Sequence, residues 1–392
     1  MTTCPDFSTL QTRWGFPTLV WFGAGRLADL PAALAEIGAK APLIITDRGL
    51  ASSTIVAAAQ AACAKAGLMA GLFSEVQPNP TVANVTAGLD ALRAGGHDGV
   101  IAFGGGSAMD AAKAVAMMAG QTRPLLDFED VGDNFRRVQT AGMVPVIAVP
   151  TTAGTGSEFG RSSVITDEQT HRKAIIFHPQ MLPELVILDP EVTVGLPPGL
   201  TAATGMDALS HALEALCAPG WHPMADGLAL TALGLIDAAL ERAVTEPANL
   251  EARAKMLVAS AMACTALQKG LGAVHALAHP LGARYDAHHG LLNAVLMAHV
   301  LRFNLAAVRP QMTTLAHALH LEGEDPGQAV LGWLEALRAR IALPATLGEM
   351  GLGVAEEDIP ALLADALRDP CALGNPVPLT AASLEQILRA AL

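Results

Sequence analysis

Along the first half of the chain, short apolar runs alternate with longer stretches whose apolar residues recur at helical spacing. "APLIITD" (41–47) and "DGVIAFGGG" (98–106) are apolar runs that end in Asp or Gly, and "VPVIAVPTTAGTGSE" (144–158) is a third that passes into a turn. Runs of this length read as strands buried on both faces, with the Ala-rich segments between them as crossover helices. The alternation predicts an α/β domain built on an open, Rossmann-like parallel sheet, which binds ligands at the carboxyl ends of its strands. After about Leu200 the strand pattern stops, and Ala- and Leu-rich helical segments punctuated by Pro and Gly fill the rest. The boundary falls near "VGLPPGLTAATG", so residues 1–196 are expected to form the α/β domain and 197–392 an all-α one.

Composition narrows the picture. Two domains suit 392 residues better than one core does. Hydrophobic residues make up 52% against 16% charged, more apolar surface than a monomer comfortably hides, so a homodimer or larger homo-oligomer is expected. The longest apolar runs, "GLALTALGLIDAAL" and "MLVASAMACTAL", stop short of a membrane span, and no membrane association is expected. A formal charge of -13 without a Lys/Arg cluster disfavours nucleic acid. "MTTCPDFSTLQTRWGF" shows no basic segment followed by an apolar one, which makes the cytoplasm the expected location. Five scattered cysteines, Cys4, Cys63, Cys217, Cys264 and Cys371, lack any CxxC pair and read as free thiols.

Two glycine-rich turns carry candidate chemistry. "GGGSAMDAAK" (104–113) follows a strand and opens a helix, leaving bare backbone N–H groups where phosphate binds well. Ser107 is placed as cap or donor and Asp110 at the third position of a capping box. "PTTAGTGSE" (150–158) adds the hydroxyls of Thr151, Thr152 and Thr155 at a second strand end, and two such turns on one sheet edge favour a dinucleotide. Asp47 reads either as a ribose ligand, which would prefer NAD to NADP, or as a cap before "RGLASS". No ordinary GxGxxG fingerprint is present; "FGAGRL" (22–27) lacks the third glycine.

The second half concentrates imidazoles. Four of the twelve histidines lie in "GLGAVHALAHPLGARYDAHHG" (270–290): His275, His279, His288 and His289. His275 and His279 are four apart, as are Asp207 and His211 in "TGMDALSHALEA", and each pair shares one helix face. His289 lies beyond the helix-breaking "HPLG", where the chain can return. Oxygen and nitrogen donors without thiolate suit Fe(II), Zn(II) or Mn(II).

"GGGSAMDAAK", "PTTAGTGSE", "ATGMDALSHALE" and "VHALAHPLGARYDAHHG", in this order and spacing, resemble the iron-containing (group III) alcohol dehydrogenase family over essentially the whole chain. The resemblance implies that Asp207, His211, His275 and His289 hold one divalent ion, Fe(II) or Zn(II), with His279 beside the site; proton traffic is expected through His279, cofactor ribose hydroxyls or water. It implies an NAD site lined by Asp47, Asn79, Gly105, Gly106, Ser107, Asp110, Thr151, Thr152, Thr155 and Lys173. Two departures stand out: His288 replaces the proline common before the last metal histidine, and Val377 in "NPVP" replaces an arginine. His288 is thereby an alternative to its neighbour His289. The implied activity is interconversion of a small alcohol, diol or hydroxy acid with its aldehyde, the ion acting as Lewis acid and NAD carrying the hydride.

Lys269 and Cys371 are named as substrate-facing candidates; Lys269 would pair with a carboxylate substrate, unless it is a surface residue or caps helix carbonyls. Rival readings are a dehydroquinate synthase-like or glycerol dehydrogenase-like enzyme, whose metal motifs differ, and a nucleotide-independent metallohydrolase. The last would leave both glycine-rich turns unexplained.

Overall fold

In a computed structural model, residues 16, 18–170 and 172–392 are described; Cys4 and nearly all of the first sixteen residues read above for a leader lie outside them. The chain divides into two compact units, Pro17–Leu196 and a second containing Pro197–Leu392.

The first unit is a six-stranded parallel sheet in the order β1-β8-β5-β4-β2-β3. Its strands are β1 (Leu19–Phe22), β2 (Pro42–Asp47), β3 (Gly71–Val76), β4 (Gly99–Gly104), β5 (Val146–Pro150) and β8 (Leu185–Leu188). Strands β4, β5 and β8 are buried along their whole length, which is why their sequences are unbroken apolar runs rather than alternating ones. Helices α1 (Leu30–Glu36), α2 (Thr54–Lys65), α3 (Val82–Ala94) and α4 (Gly106–Met118) follow successive strands. Leu30, Leu34, Ile44, Val56, Ile101, Phe103, Ile147 and Ile187 form one core between sheet and helices. Between β5 and β8 the chain adds an antiparallel hairpin, β6 (Ser162–Asp167) and β7 (Arg172–Phe177), which the strand-and-helix alternation does not predict.

The second unit is helical: α5 (Pro198–Cys217), α6 (Pro223–Thr245), α7 (Leu250–Ala266), α8 (Ala273–Tyr285), α9 (His289–Asn304), α10 (Arg309–Ala318), α11 (Pro326–Arg340), α12 (Ile359–Arg368) and α13 (Ala381–Ala391). This α/β-then-all-α architecture is the one expected. At 23 residues α6 is longer than its apolar run suggested, and by length and composition alone it is apolar enough to cross a bilayer. Its stripe of Ala225, Ala229, Ala232, Leu233, Ile236, Ala239 and Leu240 is buried, and α5 and α7 pack on this helix.

One expectation about α8 is corrected. The helix does not break at "HPLG" but runs through Pro280 to Tyr285, and the chain reverses at Asp286, which is left-handed at φ 48°. Proline removes one backbone donor from the ladder, and the turns on either side carry the helix across that gap.

Candidate active site in the helical unit and nucleotide turns in the sheet unit

Helix α5 presents Asp207 and His211 one turn apart, both buried, with His211 Nε2 3.8 Å from Asp207 Oδ1. Helix α8 brings His275, whose ring stacks on that of His211 at 4.8 Å between centroids. The start of α9 supplies His289, with Nε2 3.5 Å from Asp207 Oδ1. That approach depends on Gly290: a Cβ there would lie 2.2 Å from the Ala203 carbonyl oxygen of α5. Only a bare α-carbon lets α9 begin so close to the helix that carries Asp207.

The lone pairs of this cluster converge. Buried Asn293, one turn beyond His289, donates from Nδ2 to Asp207 Oδ1 at 2.8 Å, and the same nitrogen lies 3.1 Å from His289 Nε2 and 3.4 Å from His275 Nε2. Asp207, His275 and His289 offer ligand atoms within 4.8 Å of one another, all oxygen or nitrogen. Acceptors gathered around one point in a buried place, with no thiolate, fit a divalent cation of borderline hardness. His211 and His288 are both outside this group of three; His211 lies against it, its ring stacked on His275, whereas His288 occupies the N-cap position of α9.

Behind His275 stands a carboxylate not among the expected site residues. Glu214, two turns after Asp207 on α5, accepts from His275 Nδ1 at 2.6 Å and from the Val274 N–H at 2.8 Å. Asn375 Oδ1 accepts from the Ala273 N–H at 3.2 Å. Helix α8 has no cap of its own at Gly272, so these two side chains satisfy its first turn and fix the ring it carries. Burial, joined by the nearby His279 charge, pushes His275 down to about 4, so the imidazole is neutral. With Nδ1 turned to Glu214, Nε2 keeps the lone pair a metal needs. Burial also pushes the Glu214 carboxyl up to about 7. The spacing Asp-x-x-x-His-x-x-Glu puts Glu214 on the same face as both expected ligands, a signal that was available in the sequence.

His279 lies beside the cluster, its ring stacked on His289 at 5.4 Å. Its Nδ1 is 2.7 Å from Asp369 Oδ2, while Asp369 Oδ1 accepts the Cys371 N–H at 2.8 Å. Burial alone would raise the Asp369 carboxyl; the His279 hydrogen bond and charge hold it below its usual value instead. Cys371 thus sits next to His279, with its thiol pushed well up by burial and then by the Asp369 charge, which leaves it protonated. Of the alternatives for Lys269, the geometry matches the capping of helix carbonyls. Its ammonium is paired with Asp226 and donates to the Leu216 carbonyl at 3.1 Å, and its side chain is 4% exposed. A charge already neutralised by an internal partner is not available to a substrate carboxylate, and the helix-carbonyl alternative is the one the geometry matches.

In the sheet unit the two glycine-rich turns touch. A Cβ on Gly106 would lie 2.6 Å from Thr155 Cγ2, and one on Gly105 3.3 Å from Thr152. Thr151 donates its N–H to Gly104 at 2.9 Å. Ser107 Oγ donates to the Pro78 carbonyl, tying the "QPNPT" loop that holds Asn79 to the same place. Asp47 Oδ1 accepts the Leu50 N–H at 3.1 Å, while Oδ2 faces Gly104. Oδ1 thus closes a turn and caps no helix, because α2 begins at Thr54 with Ser53 as its N-cap, while Oδ2 remains compatible with the ligand reading. Lys173 lies on β7, in register with Thr166.

The capping-box expectation is corrected: α4 begins at Gly106 with Gly105 as its N-cap and no side-chain cap. The helix starts before Ser107, so Asp110 is too deep to cap it. Its carboxylate instead accepts Ser157 Oγ at 2.5 Å and the Val164 N–H at 2.9 Å. The amides of the first turn are left open to an anion.

Family models for the iron-containing alcohol dehydrogenases match residues 17–190, and for their C-terminal region residues 201–392. A 4-hydroxybutyrate dehydrogenase of Cupriavidus necator is 40% identical over 93% of this chain and 95% of its own length. The crystal structure of a 1,3-propanediol oxidoreductase superposes with a TM-score of 0.92 at 34% identity, covering 98% of this chain and all of the other. A sulfoacetaldehyde reductase from Bifidobacterium kashiwanohense, solved with NAD+, gives 0.86 at 30%, covering 97% and 99%. Matched along nearly its whole length in sequence and in fold, the chain belongs to the iron-containing alcohol dehydrogenase family of oxidoreductases.

Proposed function

We propose that this enzyme interconverts a small primary alcohol or diol with its aldehyde, using NAD and one divalent ion, Fe(II) or Zn(II), held by Asp207, His211, His275 and His289. The observation that carries this reading is the convergence of buried oxygen and nitrogen lone pairs on the Asn293 amide, in a chain that also carries two touching glycine-rich turns. When bound, the ion would act as a Lewis acid on the substrate oxygen and NAD would accept or return the hydride. The chain's own residues do the rest. Glu214 and Asn375 orient His275, His279 Nε2 takes up or returns the hydroxyl proton while Asp369 holds Nδ1, and the uncapped first turn of α4 would hold a pyrophosphate.

A hydroxy-acid substrate is the second reading, favoured by the activity of the Cupriavidus relative. The internal pairing of Lys269 with Asp226 weighs against it. Initial rates at 340 nm across primary alcohols, diols and ω-hydroxy acids decide between the two, and no turnover of any of them with NAD would defeat both. In the same assay NAD should exceed NADP, and Asp47→Gly should narrow the ratio by about tenfold as the repulsion of a 2′-phosphate is removed. Equal use of both cofactors by the unaltered enzyme would count against a ribose role for Asp47.

We also propose a homodimer, supported by the edge strand β1, which exposes Leu19, Val20 and Phe22. An edge of this kind pairs with another strand unless it is protected. Sedimentation should find two chains or more, and Phe22→Lys should shift the population to monomer; a monomer in the unaltered protein would end the idea.

A further inference from the structure

Cys371 has no task in the reaction proposed above, yet its side chain is aimed at two groups that do. Asp369 caps the short 3₁₀ turn Pro370–Gly374, where Oδ1 accepts the Cys371 N–H at 2.8 Å, and this closed turn sends the carboxylate and the thiol of Asp-x-Cys to the same side. The thiol hydrogen-bonds to Asp369, and His279 on α8 meets the same carboxylate, with Nδ1 2.7 Å from Oδ2. Imidazole nitrogen, carboxylate oxygen and thiol sulfur thus offer ligand atoms within 4.8 Å of one another.

This group differs from the Asp207, His275 and His289 set in its chemistry. It includes sulfur, and among the described residues it is the one convergent set of three that does. It is also reachable from solvent, the side chains of His279 and Asp369 being 17% and 13% exposed and Cys371 half-buried. Donors around a tetrahedral zinc ion stand about 3 to 4 Å apart, so small side-chain rotations seat an ion here and leave a fourth position to water. A mixed nitrogen, oxygen and sulfur set favours thiophilic ions such as Zn(II) or Co(II) over Mg(II) or Ca(II). Without an ion, an ionised thiol and carboxylate side by side repel one another; a divalent cation neutralises both.

We propose that His279 Nδ1, Asp369 and Cys371 form a second metal site, apart from that of the catalytic ion, for a thiophilic divalent cation. On binding, the Asp369 carboxylate and the Cys371 thiolate meet the ion's two charges, the thiol proton goes to solvent, and the proton on His279 Nδ1 is displaced to Nε2. Nε2 then carries a proton and has no lone pair for one from the substrate, so the second ion inhibits. The site stands on its three donors alone, whereas the inhibition rests on the reading of His279 as the proton relay.

Cobalt(II) is the probe, added to the holoenzyme with its thiols kept reduced. Only a cysteine ligand gives a thiolate-to-cobalt charge-transfer band in the near ultraviolet, so exchange of cobalt into the oxygen and nitrogen set is silent there. The unaltered enzyme should develop that band, hold one ion per chain more than Cys371→Ser by total metal analysis, and lose turnover about a hundredfold as the band saturates. Cys371→Ser should show no band and keep its own starting rate at the same cobalt concentration; Cys371→Ala serves if the serine variant does not fold. No band in the unaltered enzyme, or a band of undiminished strength in the Cys371 variant, would overturn the proposal. A Cys371-dependent band with turnover undiminished would leave the metal site standing and overturn the relay reading of His279 instead.

Discussion

Replacing His275 by alanine is expected to remove the bound metal and the activity together. The ring is 2% exposed, neutral, and turned by Glu214 so that Nε2 joins Asp207 Oδ1 and His289 Nε2 around one point. Loss of one ligand in a buried set leaves the others facing one another with no cation, and a carboxylate beside imidazole lone pairs then has no compensation except the Asn293 amide. Glu214→Gln should give a graded result. The amide has one oxygen for the two N–H groups that Glu214 receives, so with that oxygen kept toward the Val274 N–H its NH2 faces His275 Nδ1 and disfavours the tautomer that leaves Nε2 free for metal, and affinity should fall about 10- to 100-fold. His288→Ala should retain metal, because the His288 ring lies outside the convergent ligand group. Elemental analysis of the three variants, followed by competition with a chelator, reads all of this. Full metal retention in His275→Ala would sink the donor set, and loss in His288→Ala would reassign its last member.

The parts of this protein that could be read in advance are those encoded within one element. Asp207 with His211, and His275 with His279, are pairs at helical spacing, so the sequence alone places each pair on a single face. The buried strands β4 and β5 announce themselves as unbroken apolar runs. What escaped depends on partners far apart in the chain. Asp369 meets His279 across 90 residues, and Asn375 meets Ala273 across 102, so no local pattern records either. The close approach of α9 to α5 rests on Gly290, whose need for a bare α-carbon shows only once the Ala203 carbonyl is in place. For Lys269 the sequence leaves a substrate partner and a helix-carbonyl cap open, and only the fold, with Asp226 and the Leu216 carbonyl against the ammonium, separates them. The hairpin β6–β7 could have been read, since β6 alternates buried and partly buried positions with period two. Ser107, the cap the sequence suggests for α4, lies two residues beyond its true cap at Gly105.

His279→Gln is expected to cut turnover by about a hundredfold or more while leaving the metal bound, as a proton relay rather than a ligand would. The more telling variant is Asp369→Asn. In the unaltered enzyme Asp369 Oδ2 holds His279 by Nδ1, which keeps a proton on that nitrogen and leaves Nε2 as the base. Oδ1 meanwhile accepts the Cys371 N–H. An asparagine at this position must keep its oxygen toward that N–H, so its NH2 group would face His279 Nδ1 and act as donor. The imidazole would then carry its proton on Nε2, with the ring still in place but unable to accept the substrate's proton. Turnover should fall about a hundredfold, close to the loss in His279→Gln, with KM and metal content little changed, because only the tautomer is altered. Asp369→Glu, which restores an acceptor, should recover part of the rate. Steady-state kinetics and metal analysis on the three variants decide the matter. Full turnover in Asp369→Asn would show that the proton leaves by another path, and loss of metal in His279→Gln would make His279 a ligand and displace His289 from the set.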